Sequence, residues 1–203
     1  MLRRYCQLDV FGAEAYLGNP LAVVVDGEGL SDEQMQRFAR WTNLSETTFL
    51  LPPSDPAADY RVRIFTTSEE LPYAGHPTLG SAFAWLAHGG VPRQPKVVVQ
   101  ECGVGLVQIR RDGSSLAFAA PPLLRDGPLD EVALLEACEA LGIDRGAVVE
   151  ASWVDNGPGW IGILLGSAEE VLALRRPETA LKIGVVGPHP AGSPFAYEVR
   201  AFF

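Results

Sequence analysis

The run PTLGSAFAWLA, residues 77–87, constrains the fold more than any other segment, because it predicts a helix that is apolar almost all round. Leu79, Phe83 and Leu86 recur at helical spacing, and Gly89 and Gly90 end the run. A helix without a polar face is usually buried inside its domain rather than laid on the surface. We therefore expect this segment to lie in the interior of a domain.

The other elements of the first 120 residues are predicted from local signals. A helix over 30–43 has Ser31 as its N-cap, Gln34 as the capping-box partner and Asn43 as its C-terminal stop. The first two strands are expected to form a hairpin about a turn at 18–20. Short β-branched and apolar runs bounded by turn residues predict strands at 2–11, 19–27, 44–51 and 60–66, and a hairpin with a third strand over 96–120.

A domain boundary is predicted at the Pro121–Pro122 pair and the loop that runs to Pro128. A chain of 203 residues with 47% hydrophobic content can bury one large core or two cores of about 100 residues each. We predict one domain over 1–120 and another over 121–203. In the second domain we expect helices over 129–141 and 167–174, strands over 147–154, 160–165 and 196–203, and an Asn-Gly-Pro-Gly turn at 156–159.

The charge and the apolar pattern argue against several kinds of partner. The formal net charge is -9, with 25 acidic and 16 basic residues and no Lys/Arg cluster that could follow a phosphate backbone, so we expect no nucleic acid partner. No run approaches the roughly 18 apolar residues of a membrane span. The N-terminus also lacks an apolar signal core, so we expect no membrane partner and a cytoplasmic protein.

No cofactor and no metal is expected. Cys6, Cys102 and Cys138 are widely spaced, with no C-x-x-C pair and no nearby histidine to complete a zinc set. We interpret them as small buried side chains. The chain carries no Rossmann fingerprint, no P-loop and no cluster with the spacing of metal ligands.

Glu46 lies near the start of a predicted strand and shares a face with Thr48 and Leu50 if that strand is regular. Its carboxylate is then either at the solvated end of the strand or partly buried. Burial without a partner cation raises the pKa of a carboxylate toward neutrality, which suits general acid/base catalysis. The sequence alone leaves both alternatives open.

The stretch AGHPTLGSA, residues 74–82, predicts a helix N-terminus that is open to a ligand. Pro77 suits the first helical position and leaves the N–H groups of residues 78–80 free. No acidic side chain in the first turn would cap these donors, so a ligand carboxylate or phosphate can bind there. His76 either donates or relays a proton at this point, or acts only as an N-cap that satisfies backbone groups.

Four segments, in order along the chain, resemble the phenazine-biosynthesis PhzF-like family, relatives of diaminopimelate epimerase: DVFGAEAYLGNPLAVVV, MQRFARWTNLSETTFLL, RIFTTSEELPYAGHPTLGSAFA and VDNGPGWIGILL. The resemblance covers essentially the whole chain, and the Asn-Leu-Ser-Glu-Thr-Thr-Phe and Glu-Leu-Pro-Tyr-Ala-Gly-His-Pro motifs are highly specific together. It implies an α+β fold of two similar mixed-sheet domains, each wrapped round a central helix, with the active site in the cleft between them. It also implies a cofactor-independent enzyme that is commonly a homodimer.

The same resemblance assigns roles to individual residues. Glu46 corresponds to the family's catalytic acid/base, and Gly75 and His76 correspond to a Gly-His pair that lies against the substrate. We take Glu46 and His76 as the predicted catalytic residues. The predicted substrate-binding residues are Asn19, Ser45, Gly75, Pro77 and Thr78.

Two departures from the family pattern affect the expected mechanism. Epimerase and racemase relatives carry a cysteine where this chain has Ala74, which excludes a mechanism with two thiols. Family members also continue beyond the equivalent of Phe203 into a segment of the form S-P-x-x-G-x-x-E-D-P-A-T-G-S-A, which supplies a second acidic residue and a second helix N-terminus. We therefore expect the second domain to be incomplete, with exposed apolar surface or an open strand edge, and the 203-residue chain to be catalytically silent.

The function predicted from the sequence is a PhzF-like isomerase in which Glu46 moves a proton on a small metabolite that bears a carboxylate. That carboxylate would bind at the helix N-terminus around Gly75. The alternative is a non-catalytic small-molecule binding protein that keeps the helix but lacks the second proton-transfer group. Neither prediction names the substrate.

Overall fold

The protein is described by a computed structural model that covers residues 2–113, 115–119, 122–155, 159–176 and 178–202. The chain divides into two compact units, Met1–Ala120 and Pro121–Phe203. Each unit has its own sheet and its own hydrophobic core.

The first unit is a mixed sheet with two helices. Its strands follow the order β1-β2-β3-β4-β6-β7-β8, with β5 paired to β4. The β2–β3 and β4–β6 pairs are parallel and the others are antiparallel. The elements are β1 (Tyr5–Val10), β2 (Asn19–Val24), α1 (Asp32–Thr42), β3 (Thr47–Leu51), β4 (Tyr60–Phe65), β5 (Glu70–Leu71), α2 (Gly75–Ala87), β6 (Val97–Cys102), β7 (Gly105–Asp112) and β8 (Ser115–Phe118).

Helix α2 is the central element of the first unit, as its apolar sequence predicts. It packs against β1, β2, β3, β4, β6 and β8 of the sheet that curls round it. The approach is close at Gly80, where a Cβ atom would lie 2.4 Å from Leu21 Cδ2 and 3.0 Å from Val10 Cγ2. The predicted burial is confirmed in part: six of the 13 residues are buried, Leu79 and Leu86 are half-buried, and Phe83 is 53% exposed.

Helix α1 covers part of the opposite face of the same sheet. Ser31 and Gln34 form the predicted capping box, and Asn43 ends the helix in the left-handed region with φ 55°. Met35 and Ala39 are buried against Phe49 and neighbouring apolar side chains. The signals that predicted this helix are local in sequence, and all of them are confirmed.

The predicted turn between the first two strands is wrong in position. Asn19 and Pro20 belong to β2 and pair with β1, so the connection is the longer segment 11–18. The backbone N–H of Tyr16 donates a hydrogen bond of 2.7 Å to the Asp9 carboxylate within that connection. This contact and the left-handed backbone of Phe11 and Tyr16 shape the loop, and a Gly-Asn-Pro signal does not reveal either feature.

The second unit is a five-stranded sheet in the order β13-β12-β11-β10-β9. Helices α3 and α4 contribute to one core with the apolar face of this sheet, which includes Ile161, Ile163, Ile183 and Val185. The elements are β9 (Arg125–Pro128), α3 (Glu131–Leu141), β10 (Val148–Asp155), β11 (Trp160–Leu165), α4 (Ala168–Ala173), β12 (Lys182–Pro188) and β13 (Tyr197–Phe202).

Two strands of the second unit depart from the sequence prediction. β9 lies where we expected a loop, and β12 was not predicted at all. The predicted turn at 156–159 falls mostly on residues 156–158, which lie outside the described residues. Among the described residues β13 lies at one edge of this sheet, and its Tyr197 and Val199 side chains are 62% and 64% exposed.

Candidate active site

Glu46 is placed by the junction between α1 and β3. The left-handed Asn43 ends α1, and the chain then turns into β3, where Thr48 and Leu50 are buried. The side chain of Glu46 is only 12% exposed, and its Oε2 atom has no hydrogen-bond partner among the described residues. Of the two alternatives that the sequence left open, the structure supports the buried carboxylate.

His76 faces this carboxylate from the first turn of α2. Its Nε2 atom lies 3.5 Å from Glu46 Oε2, although 30 residues separate the two in sequence. The His76 side chain is 9% exposed, and Nε2 also lacks a hydrogen-bond partner within the described residues. A separation of 3.5 Å is at the outer limit of a hydrogen bond. Such contacts are often long in ligand-free enzymes and tighten when substrate binds.

Asn19 holds the other side of the imidazole. It is the first residue of β2, and its amide Nδ2 lies 3.3 Å from His76 Nδ1, so the amide donates a hydrogen bond to the ring. This contact leaves Nε2 as the ring nitrogen that faces Glu46. The structure therefore brings Asn19, predicted to bind substrate, against the predicted catalytic histidine.

Burial shifts the pKa values of Glu46 and His76 in opposite directions. Burial raises the pKa of Glu46 above its ordinary value. Burial also lowers the pKa of His76 to about 4. At neutral pH the imidazole is therefore uncharged, and the pair is not a structural salt bridge. A carboxyl with a raised pKa beside a neutral imidazole is suited to accepting and returning a proton.

The N-terminus of α2 is uncapped, but its free donors differ from those predicted. The helix begins at Gly75, so Pro77 is its third residue and not its first. The Thr78 N–H donates to the Ala74 carbonyl at 3.2 Å, so the prediction that this group is free is wrong. Ala74 makes no side-chain capping bond, and no acidic residue lies in the first turn. The N–H groups left for an anion are those of Gly75 and His76.

The remaining predicted residues have different surroundings. Ser45 is exposed, and Pro77 is buried. The Thr78 hydroxyl donates a hydrogen bond of 2.9 Å to the Ala74 carbonyl and accepts one of 3.1 Å from Gln100 Nε2. Both side-chain hydrogen bonds of Thr78 are therefore made within the protein. Substrate contacts by these residues stay predictions.

Tyr73 is a site neighbour that residue-by-residue reasoning missed. Its hydroxyl is buried, its ring packs edge-on against Phe118 at 5.9 Å, and burial raises its pKa to about 12. Its position inside the Glu-Leu-Pro-Tyr-Ala-Gly-His-Pro motif, directly before the helix N-terminus, was the available signal.

Neither a metal site nor a membrane span is found in the part of the chain that the structure describes. No group of three or more His, Cys, Asp or Glu side chains there could hold a metal ion. No helix there is both long and apolar enough to cross a membrane.

The described residues thus form a sheet curled round helix α2, with a facing carboxylate and imidazole at the uncapped end of that helix. The chain belongs to the phenazine biosynthesis-like protein family, PhzC-PhzF, whose family model matches residues 8–203. The family and the α+β fold expected from the sequence are thereby confirmed.

Two curated relatives and one solved structure illustrate the similarity. The chain is 42% identical over 176 residues to "Antisense-enhancing sequence 1" of Schizosaccharomyces pombe, covering 83% of this chain and 59% of that protein. It is 38% identical over 184 residues to trans-2,3-dihydro-3-hydroxyanthranilate isomerase of Pseudomonas aeruginosa, covering 89% of this chain and 63% of that enzyme. A PhzF-family phenazine biosynthesis protein from Bacillus anthracis shares the fold, with a TM-score of 0.82 and 20% identity over 100% of this chain and 72% of that one.

The chain spans about three fifths of the length of these two curated relatives. The activity, substrates and partners of the whole protein are therefore matters for the proposal that follows.

Proposed function

We propose that this protein is an isomerase that moves a proton on a small carboxylate-bearing metabolite, with Glu46 as the group that carries the proton. One observation supports this most strongly. The Glu46 side chain is buried, its Oε2 atom has no hydrogen-bond partner among the described residues, and this atom faces His76 at the open end of α2. A buried carboxylate that serves only the fold would be expected to have a hydrogen-bond partner or a cation beside it.

The N-terminus of α2 supplies the binding half of the proposed site. The Gly75 and His76 N–H groups and the positive end of the helix dipole would hold the substrate carboxylate. This anchor would place the carbon that loses its proton next to Glu46. His76 would donate a hydrogen bond to the substrate or to the Glu46 carboxylate as charge moves.

Acid/base catalysis by Glu46 accounts for the proposed reaction with the residues that are present. This proposal differs from the expectation that the 203-residue chain is catalytically silent, and turnover by wild type distinguishes the two. Glu46 removes a proton from one carbon and returns a proton to another position, so the carboxylate is regenerated and no electrons are gained or lost. The raised pKa of Glu46 brings its basicity closer to the working pH. A positioned acid/base group typically contributes about 10²- to 10⁴-fold in rate.

The named activity of the Pseudomonas relative supports the choice of substrate class. Its name describes the isomerisation of a dihydro-hydroxyanthranilate, which is a small cyclic carboxylate. We propose a small carboxylate of that class for this protein, and we use that compound as the first test substrate. The homodimer and the cytoplasmic location expected from the sequence stay predictions.

The test compares the isomerisation rates of wild type, Glu46→Gln and Glu136→Gln. Glu136 is exposed on α3 in the second unit, so its variant removes one negative charge without changing Glu46 or His76. We expect kcat/KM to fall at least about 100-fold in Glu46→Gln and to stay unchanged in Glu136→Gln. Equal rates in wild type and Glu46→Gln would refute the assignment. Binding of the carboxylate without any turnover would favour the non-catalytic binding protein instead.

A further inference from the structure

A series of three hydrogen bonds, two of them buried and the last partly buried, runs through the first unit to the N-terminus of α2. The Tyr60 hydroxyl donates 2.7 Å to Gln100 Oε1, and Gln100 Nε2 donates 3.1 Å to Thr78 Oγ1. The Thr78 hydroxyl then donates 2.9 Å to the carbonyl of Ala74, the N-cap residue of the helix. Every donation points the same way, toward this carbonyl. Glu46 and His76, the residues of the proposed proton transfer, take no part in these three hydrogen bonds.

These hydrogen bonds link strands β4 and β6 to helix α2 at the centre of the core. Tyr60 on β4 and Gln100 on β6 are direct partners in the parallel pairing of these strands. Tyr60 is 1% exposed, and Gln100 and Thr78 are fully buried. An apolar core would avoid the cost of desolvating so many polar groups, and such a network tolerates its burial only when each member is satisfied. The position of Gln100 inside an apolar strand therefore calls for a specific role.

The last of these hydrogen bonds, from Thr78 to the Ala74 carbonyl, affects the direction of the Gly75 N–H, a proposed donor to the ligand. The Ala74 carbonyl and the Gly75 N–H belong to one planar trans peptide group and point in opposite directions. When the Thr78 hydroxyl and the Thr78 N–H both hold that carbonyl, they also fix the direction of the Gly75 N–H. The N–H then points out of the helix end, on the side where an anion would bind.

We propose that Gln100 is a positioning residue that orients the Gly75 N–H for the substrate carboxylate through Thr78 and Ala74. This inference rests on the proposed function, since it needs an anion at the end of α2. Gln100 itself touches neither the substrate nor Glu46 in this account. Its effect is on carboxylate affinity and not on proton transfer.

A second buried hydrogen bond on the same helix supplies a matched control. Ser81 is fully buried, and its hydroxyl donates 2.9 Å to Thr48 Oγ1. Ser81 lies beyond the first turn of α2 and makes no contact with the Ala74 carbonyl in these hydrogen bonds. Ser81→Ala therefore removes a buried polar contact of the same helix without releasing the Gly75 peptide group.

The experiment measures acetate binding from the amide shifts of Gly75 and His76 in two-dimensional NMR spectra. Gln100→Met keeps the length of the side chain but removes both hydrogen bonds of the amide. We expect the acetate Kd to rise at least about 5-fold in Gln100→Met and less than 2-fold in Ser81→Ala. Thr78→Val removes the last hydrogen bond directly, and it should weaken acetate binding by at least as much. The double variant should bind no more weakly than Thr78→Val alone, because both changes act through the same carbonyl.

The outcomes separate this inference from the proposed function. If wild type shows no acetate-dependent shift at Gly75 and His76, the anion site fails and both proposals fall. If wild type binds acetate and Gln100→Met binds it equally well, only the role of Gln100 is refuted. Should Gln100→Met not fold, wild-type affinity in Thr78→Val would refute the role, and weakened affinity would support it.

Discussion

The buried imidazole of His76 should make folding stability depend on pH, and removing it should remove that dependence. In the folded protein burial lowers the pKa of His76 from its ordinary value of 6.5 to about 4. The unfolded chain therefore binds a proton more readily than the folded protein does. Because the folded pKa is depressed, the stabilising contribution is complete above pH 6.5 and is lost as the pH falls toward 4.

The size of the effect follows from the two pKa values. A fall in pKa from 6.5 to about 4 corresponds to about 3 kcal/mol at the acid limit, since one pKa unit is worth about 1.4 kcal/mol. Between pH 7 and pH 5 the expected loss is about 2 kcal/mol. The side chain is only 9% exposed, so solvent screening should reduce this value little.

Urea unfolding at pH 7 and pH 5 tests this prediction on wild type, His76→Gln and His88→Gln. His88 lies at the exposed C-terminal end of the same helix, so its variant removes a histidine without removing the buried one. We expect wild type and His88→Gln to lose about 2 kcal/mol more than His76→Gln over this range. Parallel losses in all three proteins, or an NMR titration that puts the pKa of His76 above 6.5, would refute the reasoning.

Two further predictions concern stability. Burial raises the folded-state pKa of Glu46, so its stabilising contribution is complete below the unfolded pKa and is lost as pH rises through the folded pKa. Glu46→Gln should therefore be more stable than wild type in urea at pH 8, with the gain vanishing by pH 4, and a gain that is equal at both pH values would contradict this. Gly80→Ala should lower the free energy of unfolding by about 1–3 kcal/mol, because its Cβ would lie 2.4 Å from the buried Leu21 Cδ2. Gly146→Ala, with no atom near the new Cβ, is its control, and equal melting temperatures for the two variants would argue against the close packing of α2.

Elements with complete local signals could be predicted from the sequence. The capping box of α1, the left-handed Asn43 and the apolar surface of α2 each depend on residues within one or two turns. The start of α2 was misplaced by two residues because a proline is tolerated anywhere in the first turn, where its missing N–H costs nothing. That shift moved the expected ligand donors from residues 78–80 to Gly75 and His76.

Strands without a local signal could not be predicted. The four residues of β9, RDGP, include Gly127 and Pro128, which disfavour a strand, and their pairing with β10 decides their conformation. β12 has glycines at 184 and 187 that obscure the apolar run, and its parallel pairing with β11 is a long-range contact. In both cases tertiary pairing overrides local propensity.

The candidate site also depends in part on tertiary packing that the sequence does not show. The resemblance to a family identified Glu46 and His76, but residue patterns alone gave no reason why groups 30 residues apart should meet. They meet because α2 packs along β3 inside the curled sheet. The contacts of Asn19 with His76 and of Gln100 with Thr78 depend on the same packing, and no local residue pattern predicts them.

The central claim is that Glu46 carries the proton, and the fate of the substrate hydrogen tests it most directly. Perdeuterated trans-2,3-dihydro-3-hydroxyanthranilate is incubated in ordinary water with wild type or Glu46→Gln, and NMR follows deuterium at each carbon. The account predicts that wild type moves or exchanges the deuterium at one carbon, while Glu46→Gln leaves every label in place over the same time. Loss or migration of the label at the wild-type rate in Glu46→Gln would contradict it.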